Sequence, residues 1–129
     1  MIIDDEPFNV IGMQLSLNRV GIKGLGNMCD RAYNGLEAVT KIKEAFENRK
    51  HIYGIVITDI SMPVKDGYEV AEEIRDFYDR NKVPQPMIIA CTGHVEEEFI
   101  KKAWKSRIDE IIPKPVNIET LKEIMQSII

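Results

Sequence analysis

The chain reads as an α/β protein with a parallel sheet covered by helices on both faces. Two observations predict this. Short apolar runs alternate with segments of helical period five times along 129 residues, and parallel strands need crossovers of that kind. The central runs Ile55-Val56-Ile57-Thr58 and Met87-Ile88-Ile89-Ala90-Cys91 are apolar without alternation, as strands buried on both faces are.

Met1-Ile2-Ile3 is a very short first strand, followed at once by Asp4-Asp5. Pro7 suits the first turn of a helix, where its missing N–H is not needed. In that helix Phe8, Ile11 and Leu15 form one apolar stripe, with Val10, Leu17 and Val20 beside it, and Gly21 is the stop. Residues from about Lys23 to Asp30 read as a weak second strand. Asn34-Gly35 opens a second helix with Leu36, Val39, Ile42, Lys43 and Phe46 in an amphipathic pattern. Ile55 to Thr58 is the third strand. Asp66-Gly67 is a turn that starts the third helix, marked by Val70, Ile74 and Phe77. Pro84 and Pro86 introduce the fourth strand. The fourth helix, about Val95 to Lys105, begins with Glu96-Glu97-Glu98 and ends among Lys101, Lys102 and Lys105, matching the helix dipole. Ile111-Ile112 is a short fifth strand, and Asn117 caps a last helix with Leu121, Ile124, Met125 and Ile128 on one face.

Composition excludes several classes. With 44% hydrophobic and 29% charged residues the chain folds rather than staying disordered. Seventeen basic against 21 acidic residues give a net charge of −4, which argues against non-specific nucleic-acid binding. No apolar run approaches the ~20 residues that cross a bilayer, and the N-terminus lacks the shape of a signal peptide. Cys29 and Cys91 are too few and too far apart for a disulfide framework or a zinc site, and read as buried thiols in a reducing cytosol. Without repeats or linker-like stretches, residues 1–129 read as one domain.

The apolar runs share a feature: each ends in a polar group. Met1-Ile3 ends in Asp4-Asp5, Ile55-Thr58 in Asp59, Met87-Cys91 in Thr92, and Ile111-Pro113 in Lys114. In open α/β sheets the functional crevice lies outside the carboxyl ends of the strands, so these groups converge. Three carboxylates at close range repel unless a cation sits among them, and hard oxygen ligands with open positions suit Mg²⁺. Lys114 adds a mobile positive charge and Thr92 a hydroxyl donor. This set describes a receiver for a phosphoryl group, in which a carboxylate attacks and cations neutralise charge on the equatorial oxygens. The product is an aspartyl phosphate.

These residues resemble the receiver domains of two-component response regulators. Asp4-Asp5-Glu6-Pro7 is similar to the family's acidic pair, Asp59-Ile60-Ser61-Met62-Pro63-Val64-Lys65-Asp66-Gly67 to its phosphoacceptor loop, Ala90-Cys91-Thr92-Gly93 to its switch region, and Lys114-Pro115 to its lysine motif. The resemblance covers essentially the whole chain. It implies a flavodoxin-like (βα)5 sandwich of strand order 2-1-3-4-5, with phosphorylation of Asp59 by a partner phosphohistidine and switching of a partner-binding surface. It implies Asp5, Asp59 and the Ser61 backbone carbonyl as direct Mg²⁺ ligands, Asp4 acting largely through water, and a cis bond at Lys114-Pro115. Thr92 and Lys114 are its other working residues. The wording Asp4-Asp5-Glu6-Pro7-Phe8-Asn9-Val10 looks like receivers of eukaryotic hybrid histidine kinases. The implied partner is a histidine kinase or a histidine phosphotransfer protein, with the domain separate or covalently part of a hybrid kinase. No direct nucleic-acid or membrane contact is implied, and the location is cytoplasmic.

The chain departs from that pattern in places. The family carries several more residues ahead of the acidic pair, so a shortened first strand is expected. Ile111 stands where an aromatic switch residue is usual, and Arg107 where a small residue is usual. His94, two residues past Thr92, reads more readily as a loop residue than as a group acting on the acyl phosphate. His51 reads as a surface residue without partners. Each site residue has a plainer role when taken alone: Asp4-Asp5 as helix caps, Thr92 as a strand-end hydroxyl, Lys114 as a surface lysine. Two rival functions differ in what they need. A Mg²⁺-dependent phosphatase of this type wants a second acid two residues past the nucleophile, where Ser61 stands, and a binding-only receiver would lack one of Asp5, Asp59 or Lys114. The expected function is a phosphoacceptor module with self-catalysed phosphoryl transfer and slow self-dephosphorylation rather than a turnover enzyme.

Overall fold

A computed structural model describes residues 1–22 and 24–128. The elements run β1 (Ile2–Ile3), α1 (Pro7–Asn18), a 3₁₀ turn (Leu25–Met28), β2 (Arg31–Ala32), α2 (Gly35–Glu47), β3 (Ile55–Asp59), α3 (Gly67–Arg80), β4 (Met87–Thr92), α4 (Glu97–Lys105), β5 (Glu110–Pro113) and α5 (Ile118–Ile128). All strand pairs are parallel, in the order β2-β1-β3-β4-β5. This is the flavodoxin-like order.

Strand alternation divides the core between two faces. Ile3, Val56 and Ile88 point to one side, where Val39 and Ile42 of α2 and Val70 and Ile74 of α3 cover them. Ile2, Ile57 and Ile89 point to the other, against Val10 and Leu17 of α1 and Leu121 and Met125 of α5. The continuous apolar strands of the sequence are therefore strands with no solvent face. As expected, β1 is short, with only Ile2 and Ile3 registered against Ile57 and Thr58 of β3. Met1 continues the ladder, its carbonyl accepting from Ile57 N and its amino group donating to the Ile55 carbonyl at 3.1 Å.

Some local expectations change. In α1 the stripe Phe8, Ile11 and Leu15 is 83%, 50% and 56% exposed, whereas Val10, Met13 and Leu17 are buried. Both sets run i, i+3, i+7, and Pro7–Asn18 contains no charged residue. Period alone therefore cannot choose the buried face; docking onto the sheet does. The second strand lies at Arg31–Ala32, just past the expected stretch, whose Leu25–Met28 part winds into the 3₁₀ turn. Lys23, where that stretch began, lies outside the described residues. The third strand extends one residue to include Asp59, α4 starts at Glu97 rather than Val95, and β5 spans Glu110–Pro113. In α2, Leu36 is 55% exposed while Ala38, Val39, Ile42 and Ala45 are buried.

Candidate functional site

The parallel register brings the strand ends to one edge. Ile3 pairs with Thr58, Asp59 with Cys91 and Thr92 with Pro113. Asp4 and Asp59 therefore emerge level with one another, with Thr92 one residue and Lys114 two residues further along the strand direction. The Lys114 N–H donates to the Thr92 carbonyl at 2.8 Å, and the Lys114-Pro115 bond that follows is cis.

Asp59 is buried at the end of β3. Its Oδ1 accepts from Lys114 Nζ at 3.0 Å and from the Ile60 N–H at 2.9 Å. Lys114 Nζ also lies 3.7 Å from Asp4 Oδ2. Asp4 is buried too, and its Oδ1 accepts from the Glu6 N–H at 2.9 Å and from Asn9 Nδ2 at 3.4 Å. Asp5 is exposed, and carboxylate oxygens of Asp4, Asp5 and Asp59 lie within 4.8 Å of one another. Thr92 is buried at the end of β4, where its Oγ1 accepts from the His94 N–H at 3.0 Å. Ser61 is exposed in the loop after β3.

Burial dominates the charge balance at Asp59, pushing its carboxyl above the ordinary range, and Asp4 pushes the same way; Lys114 and the Ile60 N–H pull it back. At Lys114 burial works to lower the ammonium pKa, but Asp59 and Asp4 together outweigh it and hold it above its usual value. The lysine is therefore a fixed positive charge. Burial lifts the Cys91 thiol to about 12, so it stays protonated beside the carboxylates and does not compete as a nucleophile. A cavity of about 300 Å³ opens between α1 and the β5–α5 connection onto Asp4, Asp59, Cys91 and Lys114. A larger one, about 450 Å³, lies at the opposite end of the sheet among Met1, Leu25, Tyr53 and Met125, away from the acidic cluster.

The backbone holds Asp59 firmly. A side chain on Gly67 would place its Cβ 2.4 Å from the Asp59 carbonyl oxygen, and the Gly67 N–H donates to the Ile60 carbonyl at 2.9 Å. The Asp66-Gly67 turn thus becomes a helix start packed on the end of the strand that carries Asp59. Asp66 and Glu69 complete it with a reciprocal capping box. Sequence reasoning missed the tight seat of Gly67 and the contact of Asn9 with Asp4; the only available signal was their position in the first turn of the flanking helices.

A family profile described as the response regulator receiver domain matches residues 1–126. The chain belongs to the response regulator receiver family. Among relatives of this receiver domain, the hybrid signal transduction histidine kinase L of Dictyostelium discoideum is 29% identical over 126 residues, which is 98% of this chain and 7% of that kinase. The chain thus spans a small part of that relative's length. The solved receiver domain of the Arabidopsis thaliana histidine kinase CKI1, complexed with Mg²⁺ and BeF₃⁻, superposes with a TM-score of 0.82 at 25% identity, covering 98% of this chain and 86% of that one. The co-crystal structure of the Saccharomyces cerevisiae phosphotransfer protein Ypd1 with the receiver domain of Ssk1 contains a chain matching at TM-score 0.76 and 26% identity, over 97% of this chain and 83% of that one.

Proposed function

We propose that this receiver domain accepts a phosphoryl group on Asp59 from the phosphohistidine of a histidine kinase or histidine phosphotransfer partner. The observation that carries the reading is Lys114 Nζ at 3.0 Å from a buried Asp59 carboxylate, inside a cluster with Asp4 and Asp5. Oδ1 is held by Lys114 and the Ile60 N–H, so Oδ2 is the oxygen left to attack. The new bond joins Asp59 oxygen to phosphorus, the bond from phosphorus to imidazole nitrogen breaks, and the electron pair stays on the imidazole. Lys114 shifts from the free carboxylate towards the transferred oxygens, and the Thr92 hydroxyl donates to one of them. Asp59 exchanges no proton in this step, since it reacts ionised.

The donor set fits Mg²⁺. All the candidate ligands are hard oxygens, two of the three carboxylates are buried, and Asp5 keeps the cluster open to water. Asp4, Asp5 and Asp59, with the Ser61 carbonyl, would hold the ion. When bound it neutralises charge on the phosphoryl oxygens. Asp4 is already engaged by the Glu6 N–H and Asn9, which supports a role through water. The whole chain acts as one receiver domain, separately or within a longer hybrid kinase. It works in the cytoplasm as a self-catalysing acceptor that loses its phosphoryl group slowly. Among the described residues no helix is long and apolar enough to cross a membrane.

The test is intact mass after incubation with a small phosphodonor, with and without Mg²⁺, for wild type and Asp59→Asn. A single phosphoryl adduct that needs both Mg²⁺ and Asp59 is expected. A folded wild type that stays unmodified would overturn the reading.

A further inference from the structure

A chain of contacts runs from the Asp59 carbonyl through α4 to Thr92. On one side, Gly67 seats α3 against the Asp59 carbonyl, and the next residue, Tyr68, is 7% exposed. The Tyr68 hydroxyl donates to the Phe99 carbonyl in the first turn of α4 across a long 3.4 Å. Lys102, one helical turn further on, lies 4.5 Å from the centre of the Tyr68 ring. On the other side, Thr92 Oγ1 accepts from the His94 N–H. The His94 ring then lies on the Phe99 ring, with centroids 4.7 Å apart and planes tilted by 31°. Between these arms is a cleft of about 510 Å³ bordered by Met62, Tyr68, His94, Phe99 and Lys102.

We infer that Tyr68 is a positioning residue that ties α4 to the phosphoacceptor loop and so sets how strongly Asp59 phosphorylation moves α4. The inference rests on the phosphoacceptor reading above. Ile111 has neither a hydroxyl nor a ring with which to report on Thr92, whereas Tyr68 has both and reaches α4 directly. The Tyr68–Phe99 bridge coexists with the Lys114–Asp59 pair, so it stabilises the arrangement in which Asp59 carries a free carboxylate. A group bound at Asp59 that draws Thr92 inward carries His94 with it and pulls on Phe99. That pull works against the Tyr68 anchor, and the open cleft leaves α4 room to move. Removing the anchor therefore favours the moved arrangement before anything binds, and less of the shift remains for a ligand to produce.

The chain's one tryptophan reports on this directly, since Trp104 is on α4 and 50% exposed. Beryllofluoride, a phosphoryl mimic, is titrated in the presence of Mg²⁺ into wild type, Tyr68→Phe and Lys102→Gln while Trp104 emission is recorded. Adduct formation from a small phosphodonor is followed by mass in parallel. Tyr68→Phe is expected to take the phosphoryl group like wild type and to bind beryllofluoride roughly two- to tenfold more tightly, the range set by one lost hydrogen bond, with a smaller emission change. Lys102→Gln shifts the same way by less, and as a surface change it decides the matter alone if Tyr68→Phe does not fold. Variants that titrate like wild type, or more weakly, overturn the inference, as does a wild type that forms the adduct with Trp104 silent. A wild type that forms no adduct overturns the phosphoacceptor reading, and this inference with it.

Discussion

At Asp59 a carboxylate is kept in a place that burial makes unfavourable. Its pKa is raised chiefly by desolvation, which Lys114 and the Ile60 N–H only partly offset. Between the ordinary value of 3.8 and the raised native one, the folded protein binds more protons than the unfolded chain. Stability therefore falls as pH rises through that window, and the cost is fully present above it. Asp59→Asn is expected to melt a few degrees higher than wild type at neutral pH, with the gap closing as the pH drops below the ordinary carboxylate range. Mg²⁺ offsets the same cost by binding the folded state, so it raises the wild-type melting temperature and does little for Asp59→Asn. Melting curves across pH, with and without Mg²⁺ and after chelation, check both signs. At this scale the sequence named Asp4, Asp5, Asp59, Thr92 and Lys114 because each ends an apolar run. His51 is on the surface as expected, but it has partners that the sequence did not show: its Nε2 lies 3.3 Å from Asp30 Oδ2 and its ring meets Tyr53 edge-on. Tyr53 is a near neighbour in the segment before β3, whereas Asp30 arrives from the segment before β2, and no local pattern in the sequence announces that pairing.

Helices here serve as mounts, and their ends matter more than their middles. The start of α3 shows this best. Its capping box satisfies the first-turn amides, and the missing side chain at Gly67 lets the helix sit on the Asp59 carbonyl. Gly67→Ala forces backbone apart, since its new Cβ would meet the Asp59 carbonyl oxygen and the Ile60 Cα, which cannot yield as the nearby Ile60 side chain can. We expect a loss of roughly 1–3 kcal/mol, as overpacking commonly costs, and slower phosphoryl uptake by the fraction that remains folded, because Asp59 itself is displaced. Urea unfolding alongside adduct formation separates the two effects. In α1 the lesson runs the other way. Its two apolar stripes have the same spacing, so the choice of buried face belongs to the sheet below, and Phe8, Ile11 and Leu15 are left on the outside.

Across the whole molecule, the end of the sheet opposite the site is held by one buried cation. Arg75 of α3 is 4% exposed and donates to the carbonyls of Pro86 and Arg107, to Gln85 Oε1 and to Asp109 Oδ2. It joins α3 to the segments entering β4 and β5. Arg107 thereby acquires a role: its carbonyl receives the guanidinium, its backbone takes a left-handed φ of 65°, and its side chain pairs with Asp79 at 3.0 Å. Arg75→Leu leaves buried carbonyls without donors, and a loss of about 3 kcal/mol is expected. Urea unfolding should show that loss while the folded fraction still takes up the phosphoryl group at Asp59, since Arg75 works at the far end. Unchanged stability would mean that water replaces the guanidinium.

The sequence by itself determined the class of fold and the chemistry of the site. Periodicity and the continuous apolar runs mark the strands and helices, with the second strand misplaced, and a parallel sheet places every strand's carboxyl end on one edge, so the polar residues ending the apolar runs had to meet. Tertiary structure decided what periodicity leaves degenerate. It chose the buried face of α1, where two stripes compete on equal terms. It also chose the partners of Arg75, Arg107 and Tyr68, which lie some 10 to 34 residues away along the chain. Such contacts depend on how the helices seat against the sheet, and that seating is settled only when the two faces of the core close together.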